Sequence, residues 1–152
     1  MPRNIDDIST GDFNFPDAGK HGCRCTKATM VKSKNKGTGG LELTWATHDG
    51  QSQFTDTLWL SARAIGRLAI VAKKLCEGAR ELQLDDDDNK AVYELADYIE
   101  EHIGGVDAII EIVEYSETFI HESGDKIGQK ETRKKKRVAF AGYERDEAED
   151  VF

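Results

Sequence analysis

The sequence predicts a mainly β, α+β domain: a five-stranded OB-like Greek-key barrel, with a helical insertion between the third and fourth strands and a disordered acidic C-terminal tail. Three observations predict it. Two hairpin signals lie close together between Lys20 and Leu60, the only two helical periodicities fall between residues 61 and 103, and two further β-patterned stretches follow before a run of acids. Read in order, the elements are β-β-β-α-α-β-β, the order of a small OB barrel. A β-grasp or another α+β roll gives a similar string. The 152 residues suit one domain with a real core, divided as an arm over 1–18, a folded body over 19–143 and a tail over 144–152.

The arm is polar, with Phe13 and Phe15 as its aromatic residues. A first strand is predicted from His21 to Ser33, where Cys23, Cys25, Thr26, Thr29 and Val31 favour extended backbone. Its faces are not cleanly separated, so a bulge or a bend around a barrel is expected. A glycine-rich turn over 36–40 leads into Leu41, Leu43 and Trp45, which alternate with polar residues as in a half-buried strand. The Asp49-Gly50 pair signals a type I′ hairpin, in which both central residues take positive φ. A third strand over Gln53–Leu60 puts Phe54, Leu58 and Leu60 on one face and Thr55, Thr57 and Trp59 on the other. Trp45 therefore reads as core and Trp59 as an exposed aromatic platform.

Ser61 is a candidate N-cap for a helix whose apolar stripe is Ile65, Leu68, Ala69, Ala72, Leu75 and Cys76, stopped by Gly78. Arg63, Arg67 and Lys74 lie on its other side. The acids Asp85 to Asp88 lead into a second helix with Val92, Leu95, Ala96, Ile99 and Ile103 as its stripe, ending at Gly104-Gly105. A fourth strand from Asp107 to about Thr118 is apolar on both faces and reads as central. A polar loop over 122–136 precedes a fifth strand over Arg137–Tyr143.

Charge is segregated. The acids of 85–88 and the tail over 144–152 each contribute four negative charges, together the whole of the formal net charge of −8. The stretch from Lys20 to Gly40 holds six cations and no acid, and Arg133 to Arg137 is a continuous basic run. A polyanion can therefore be bound locally despite an acidic total. Candidate phosphate contacts are Lys27, Lys32, Lys34 and Lys36 from the first hairpin and Lys134, Lys135 and Lys136 from the last loop. Candidate stacking platforms are Trp59, Tyr115, Phe119 and Tyr143, with core packing as the alternative for each. Single-strand binding needs this pairing of cations that track phosphates with rings on which bases stack.

Other chemistries find little support. Three cysteines do not make a disulfide framework, and His21, Cys23, Cys25 and Cys76 lack the paired spacing of a zinc site. Lys90 stands where a calcium loop over 85–96 would need glycine. The glycine-rich turn lacks the Lys-Ser/Thr of a phosphate loop. His48, His102 and His121 have no nucleophile motif nearby, so an enzyme, a metal and a cofactor are not expected. With no membrane-length apolar run and no signal-peptide core, a cytoplasmic location is expected, that of the host cell if the chain is phage-encoded.

The tail is acidic and ends on Phe152. Such a peptide can insert its terminal ring into a partner's pocket while Glu147, Glu149, Asp150 and the α-carboxylate meet cations there. An acidic tail with terminal phenylalanine after an OB-like body resembles bacterial and phage single-stranded-DNA-binding proteins. The body resembles a phage-encoded family of small replication-associated OB-fold proteins, through Phe15-Pro16-Asp17-Ala18-Gly19, the turn from Lys32 to Gly37, and Val138-Ala139-Phe140-Ala141-Gly142-Tyr143. The helix from Ala91 to Ile103 is longer than a minimal OB-fold needs. The resemblance implies sequence-tolerant binding of single-stranded DNA in replication and recombination, with partner proteins recruited through the tail; a homodimer is compatible with it. A rival expectation is an adaptor with no nucleic-acid partner that acts through its acidic tail and acidic helix.

Overall fold

A computed structural model describes residues 14–33, 37–122, 124, 125 and 127–146. Strands β1 (Gly19–Lys32), β2 (Gly39–Thr47) and β3 (Gln53–Trp59) are followed by helices α1 (Ile65–Leu75) and α2 (Asp88–His102), then by β4 (Asp107–Ile120) and β5 (Lys130–Arg145). All strand pairs are antiparallel, in one open sheet of order β3-β2-β1-β4-β5.

β1 holds the sheet together because it is long enough to serve two neighbours. Gly19 to Arg24 pair with β4, and Cys23 to Lys32 pair with β2, with a register shift between Cys25 and Lys27. The expected irregularity is therefore a bulge, and it bends β1 where it passes from one neighbour to the other. Cys23 and Cys25 stay on the buried face.

The hairpin between β2 and β3 departs from the type I′ expectation. In this turn only Gly50 has positive φ, at 73°, and Asp49 does not. Gly50 N–H donates to Thr47 C=O at 2.9 Å, and the Asp49 carboxylate accepts from Gln51 N–H at 2.9 Å and from the Thr47 hydroxyl at 2.7 Å. Asp49 gains these bonds by staying at negative φ, which leaves the left-handed position to the glycine alone. Those donors hold its carboxyl below the usual range, Thr47 first and then Gln51.

Ser61 precedes a short 3₁₀ turn over Ala62–Ala64 and makes no side-chain cap; α1 begins only at Ile65. Asp87 does cap α2, its carboxylate accepting from Asn89 N–H at 2.9 Å. The helices pack on each other, and α1 also packs on β5. Leu68, Val71, Ala72 and Leu75 of α1 join Val92, Leu95, Ala96 and Ile99 of α2 in one core with Leu41, Leu43, Trp45, Phe54, Ile110 and Ile112. Phe15 of the arm stacks on Phe54 with ring centroids 5.3 Å apart, while Phe13 lies outside the described residues.

Two boundaries move. β5 begins at Lys130, not at Arg137, so Lys134, Lys135 and Lys136 stand in a strand and not in a loop. It also continues through Glu144 and Arg145, which pair with Ile109 and Ala108, so the body reaches two residues past Tyr143. Lysine and arginine are poor strand formers where a face must be buried; here both faces of the hairpin are open and the charges remain solvated. Beyond Ile112, β4 pairs with β5 alone, and the two strands project as a ribbon from the body.

Candidate nucleic-acid interface

The edge strands β3 and β5 approach each other without a backbone ladder among the described residues, and side chains centred on Arg67 bridge them. Arg67, on α1, donates from Nη1 to Thr57 C=O at 3.4 Å and from Nε to Phe140 C=O at 3.3 Å. Its Nη2 meets Asp56 Oδ2 at 2.5 Å, with both side chains mostly buried. Asp56 Oδ2 also accepts from the Tyr143 hydroxyl. Burial pushes the Asp56 carboxyl above the usual carboxylate range against the opposing pull of Arg67 and Tyr143. Burial, reinforced by the charge of Asp56, holds the Tyr143 phenol well above its ordinary value. This corrects the stacking role for Tyr143: it is 0% exposed, lies against Trp45 at 5.8 Å and spends its hydroxyl on the seam.

The cleft that opens outward from this seam is lined by Thr57, Trp59, Arg67, Arg137 and Phe140. Trp59 is 42% exposed and Phe140 62%. Trp59 lies flat because its neighbour across the ladder is Gly40, where a Cβ would come within 2.8 Å of the indole ring. Any larger residue there must push the ring away, so Gly40 is a packing requirement of the platform.

From the cleft the projecting hairpin continues the same outer face. Cross-strand pairing sets Val113 opposite Arg137, Tyr115 opposite Lys135, Glu117 opposite Arg133 and Phe119 opposite Glu131. Partners across an antiparallel ladder share a face, so Tyr115 and Phe119 stand with Arg133, Lys135 and Arg137. The Arg137 guanidinium lies 4.8 Å from the Tyr115 ring centroid and the Arg133 guanidinium 4.5 Å from that of Phe119. Both separations are in the cation–π range. Lys135 Nζ meets Glu117 at 2.5 Å, and this bond is the main reason that its pKa is raised. Arg133 lies 3.8 Å from Glu131, so acids on the same face hold these cations in place. The result is a strip of interspersed rings and cations: Trp59, Arg137, Tyr115, Lys135, Arg133 and Phe119.

The other expected residues fall elsewhere. Lys27 pairs with Thr44, on the parity of the outer face but two rows from Trp59, with Glu42 in the row between. Lys32 pairs with Gly39 and borders a different groove, beside Met30, Leu60 and Tyr93. Lys134 and Lys136 pair with Ser116 and Glu114, on the face of the hairpin opposite the rings, and Lys136 sits 3.7 Å from Asp17. Lys34, Lys36, Glu147, Glu149, Asp150 and Phe152 lie outside the described residues. Arg67, Arg133, Arg137 and Phe140 were missed by the sequence reading. The alternation Arg133, Lys135, Arg137 becomes a signal only when the run is read as a strand; nothing in the sequence brings Arg67 to the seam.

A second polar cluster lies beside the bulge of β1, at the start of β4. Asp107 receives both Arg24 nitrogens at 2.9 and 3.1 Å and His48 Nε2 at 3.0 Å, and Arg24 above all holds its carboxyl below the usual range. Among the described residues no cluster of ligating side chains could hold a metal ion, and no helix is long and apolar enough to cross a membrane.

Comparison of the sequence with protein families and with curated proteins gives no match. The reading of the strip therefore rests on its own geometry and chemistry.

Proposed function

We propose that this chain is a phage-type, OB-like protein that coats single-stranded DNA in replication or recombination and recruits partner proteins through its acidic tail. The observation that carries the reading is the strip from Trp59 to Phe119. Sequence-tolerant binding of single strands uses ring faces for bases and cations for the backbone, each stacked base contributing about 1–3 kcal/mol. The strip offers both, interspersed on one open face. Its acids do not oppose the reading, because a phosphate can displace Glu117 or Glu131 from a solvent-exposed cation at little cost.

The topology supports the OB-like reading. A helical segment joins the third and fourth strands, the first strand is shared by two neighbours, and the two edge strands are drawn together at the Arg67 seam. OB barrels bind oligonucleotides on the face of their second and third strands and through the loops joining strands 1–2 and 4–5. Trp59 is on the third strand, and the ribbon between β4 and β5 carries Tyr115 and Phe119.

Fluorescence anisotropy of a labelled oligo-dT tests the reading, with the intact chain and a variant ending at Asp146. The intact chain should bind, with affinity falling steeply as salt rises, and truncation should leave binding intact or tighten it. Absence of binding by both forms at low salt would sink the single-strand reading and leave a protein partner as the ligand to seek. The cut belongs after Asp146 because Glu144 and Arg145 are paired in β5.

A further inference from the structure

The projecting ribbon has a second face that the proposed strip does not use. It is formed by Glu114, Ser116, Thr118 and Ile120 on β4 and by their partners Lys136, Lys134, Thr132 and Lys130 on β5. Ile120 is 55% exposed and, just beyond the ladder, Ile127 is 65% exposed. A two-stranded ribbon with neither face covered is marginally stable in water. Among the described residues neither Lys130 nor Lys134 makes an ion pair. The face is thus cationic along its length and apolar at its tip.

The same chain carries the complementary surface elsewhere. The solvent side of α2 presents Tyr93, Glu94, Asp97, Glu100 and Glu101. Beside it lies an open groove bordered by Met30, Lys32, Leu60, Tyr93 and Asp97, in which Met30 is 37% and Tyr93 51% exposed. From Tyr93 to Glu101 the helix side is anionic, with Lys90 before it and Lys32 across the groove as its cations. The dimensions agree: 15 residues of helix span about 22 Å, and the ribbon from Glu114 to Ile120 spans about 20 Å.

We propose that the Lys130/Lys134/Ile120 face of one molecule docks on the α2 face and Met30–Tyr93 groove of a second copy of this chain, a head-to-tail contact. Helix α2 covers the open side of the ribbon, the acids meet the lysines, and the exposed isoleucines leave water against Met30 and Tyr93. The two surfaces differ, so the contact is heterologous: each docked pair keeps one free donor face and one free acceptor face, and assembly continues into chains. Nucleic acid plays no part in the contact, so it stands or falls separately from the proposed function.

Sedimentation velocity without nucleic acid tests the contact. The intact chain should associate as its concentration rises to about 0.1 mM at low salt, and high salt should weaken the association about tenfold or more. Two charge-reversed variants, Lys130→Glu with Lys134→Glu and Asp97→Lys with Glu101→Lys, should each be monomeric while keeping the far-UV circular dichroism of the intact chain. Mixed together they should associate again, because one variant keeps the acceptor and the other the donor, and the two reversed faces are complementary to each other as well. An intact chain that stays monomeric at low salt, association unchanged by either reversal, or a mixture that stays monomeric would each overturn the proposal.

Discussion

Replacing Arg67 by methionine tests whether the seam between β3 and β5 depends on one guanidinium. Methionine keeps most of the apolar stem packing and deletes the charge with its three bonds. The ion pair with Asp56 at 2.5 Å is mostly buried, and breaking such a pair from one side costs about 3–5 kcal/mol. The two carbonyl bonds, at 3.3 and 3.4 Å, are long and add about 0.5 kcal/mol each at most. A loss of about 4 kcal/mol is therefore expected, or a fall in Tm of about 10 °C for a chain of this size. Urea unfolding followed by circular dichroism measures it. Adding Asp56→Asn should recover at least half of the loss, since the uncompensated carboxylate goes with it. The pH response gives an independent sign. Burial raises the folded pKa of Asp56, and without Arg67 nothing but Tyr143 opposes that rise. At this group the folded state then binds more protons than the unfolded one, so the stability deficit of the single variant relative to the intact chain should shrink as pH falls from 7 toward 4. A loss below about 1 kcal/mol, or no recovery in the double variant, would refute the seam as a structural staple.

Three further outcomes are expected. Trp59→Ala should weaken oligo-dT binding about tenfold or more, in line with one lost stack, and Gly40→Ala should do the same by displacing the ring; tryptophan emission and anisotropy read both. Arg133→Glu with Lys135→Glu should reduce the slope of log affinity against log salt by about 1.4, two contacts at about 0.7 each for a single strand, whereas Lys134→Glu with Lys136→Glu should change it less because those side chains face away from the rings. Burial, aided by the charge of Asp49, pushes the Cys23 thiol up to about 12; burial also takes Cys25 and Cys76 to about 11 each. These groups stay protonated in the fold while the unfolded chain loses its protons from about pH 9, so stability should be unaffected below that pH and fall steeply above it. The three thiols should also resist a disulfide exchange reagent at pH 8 until the protein is unfolded.

Local chemistry made most of the body readable. Period-two alternation alone places Trp45 in the core and Trp59 on the surface, because β2 and β3 pair with no bulge to reverse the parity. The stripe of α2 follows from helical spacing, and the acidic run that leads into it contains the residue that caps it, Asp87. Tyr143 failed for the opposite reason. Five successive positions, from Val138 to Gly142, stand opposite only Ile112 and Glu111 before pairing resumes at Ile110, and a register break of that kind turns the ring from surface to core.

The sequence by itself determined which segments could be strands or helices, where positive charge gathers inside an acidic chain, and which rings were available. Those properties belong to short stretches of backbone and to composition. The tertiary structure alone decided which of them meet. It set Arg133, Lys135 and Arg137 on the same face as Tyr115 and Phe119 and turned Lys134 and Lys136 away. It also carried Arg67 from a helix to two carbonyls and a carboxylate on two strands that share no backbone ladder among the described residues. Face and proximity follow from register and closure, and these are fixed by the burial of the core as a whole.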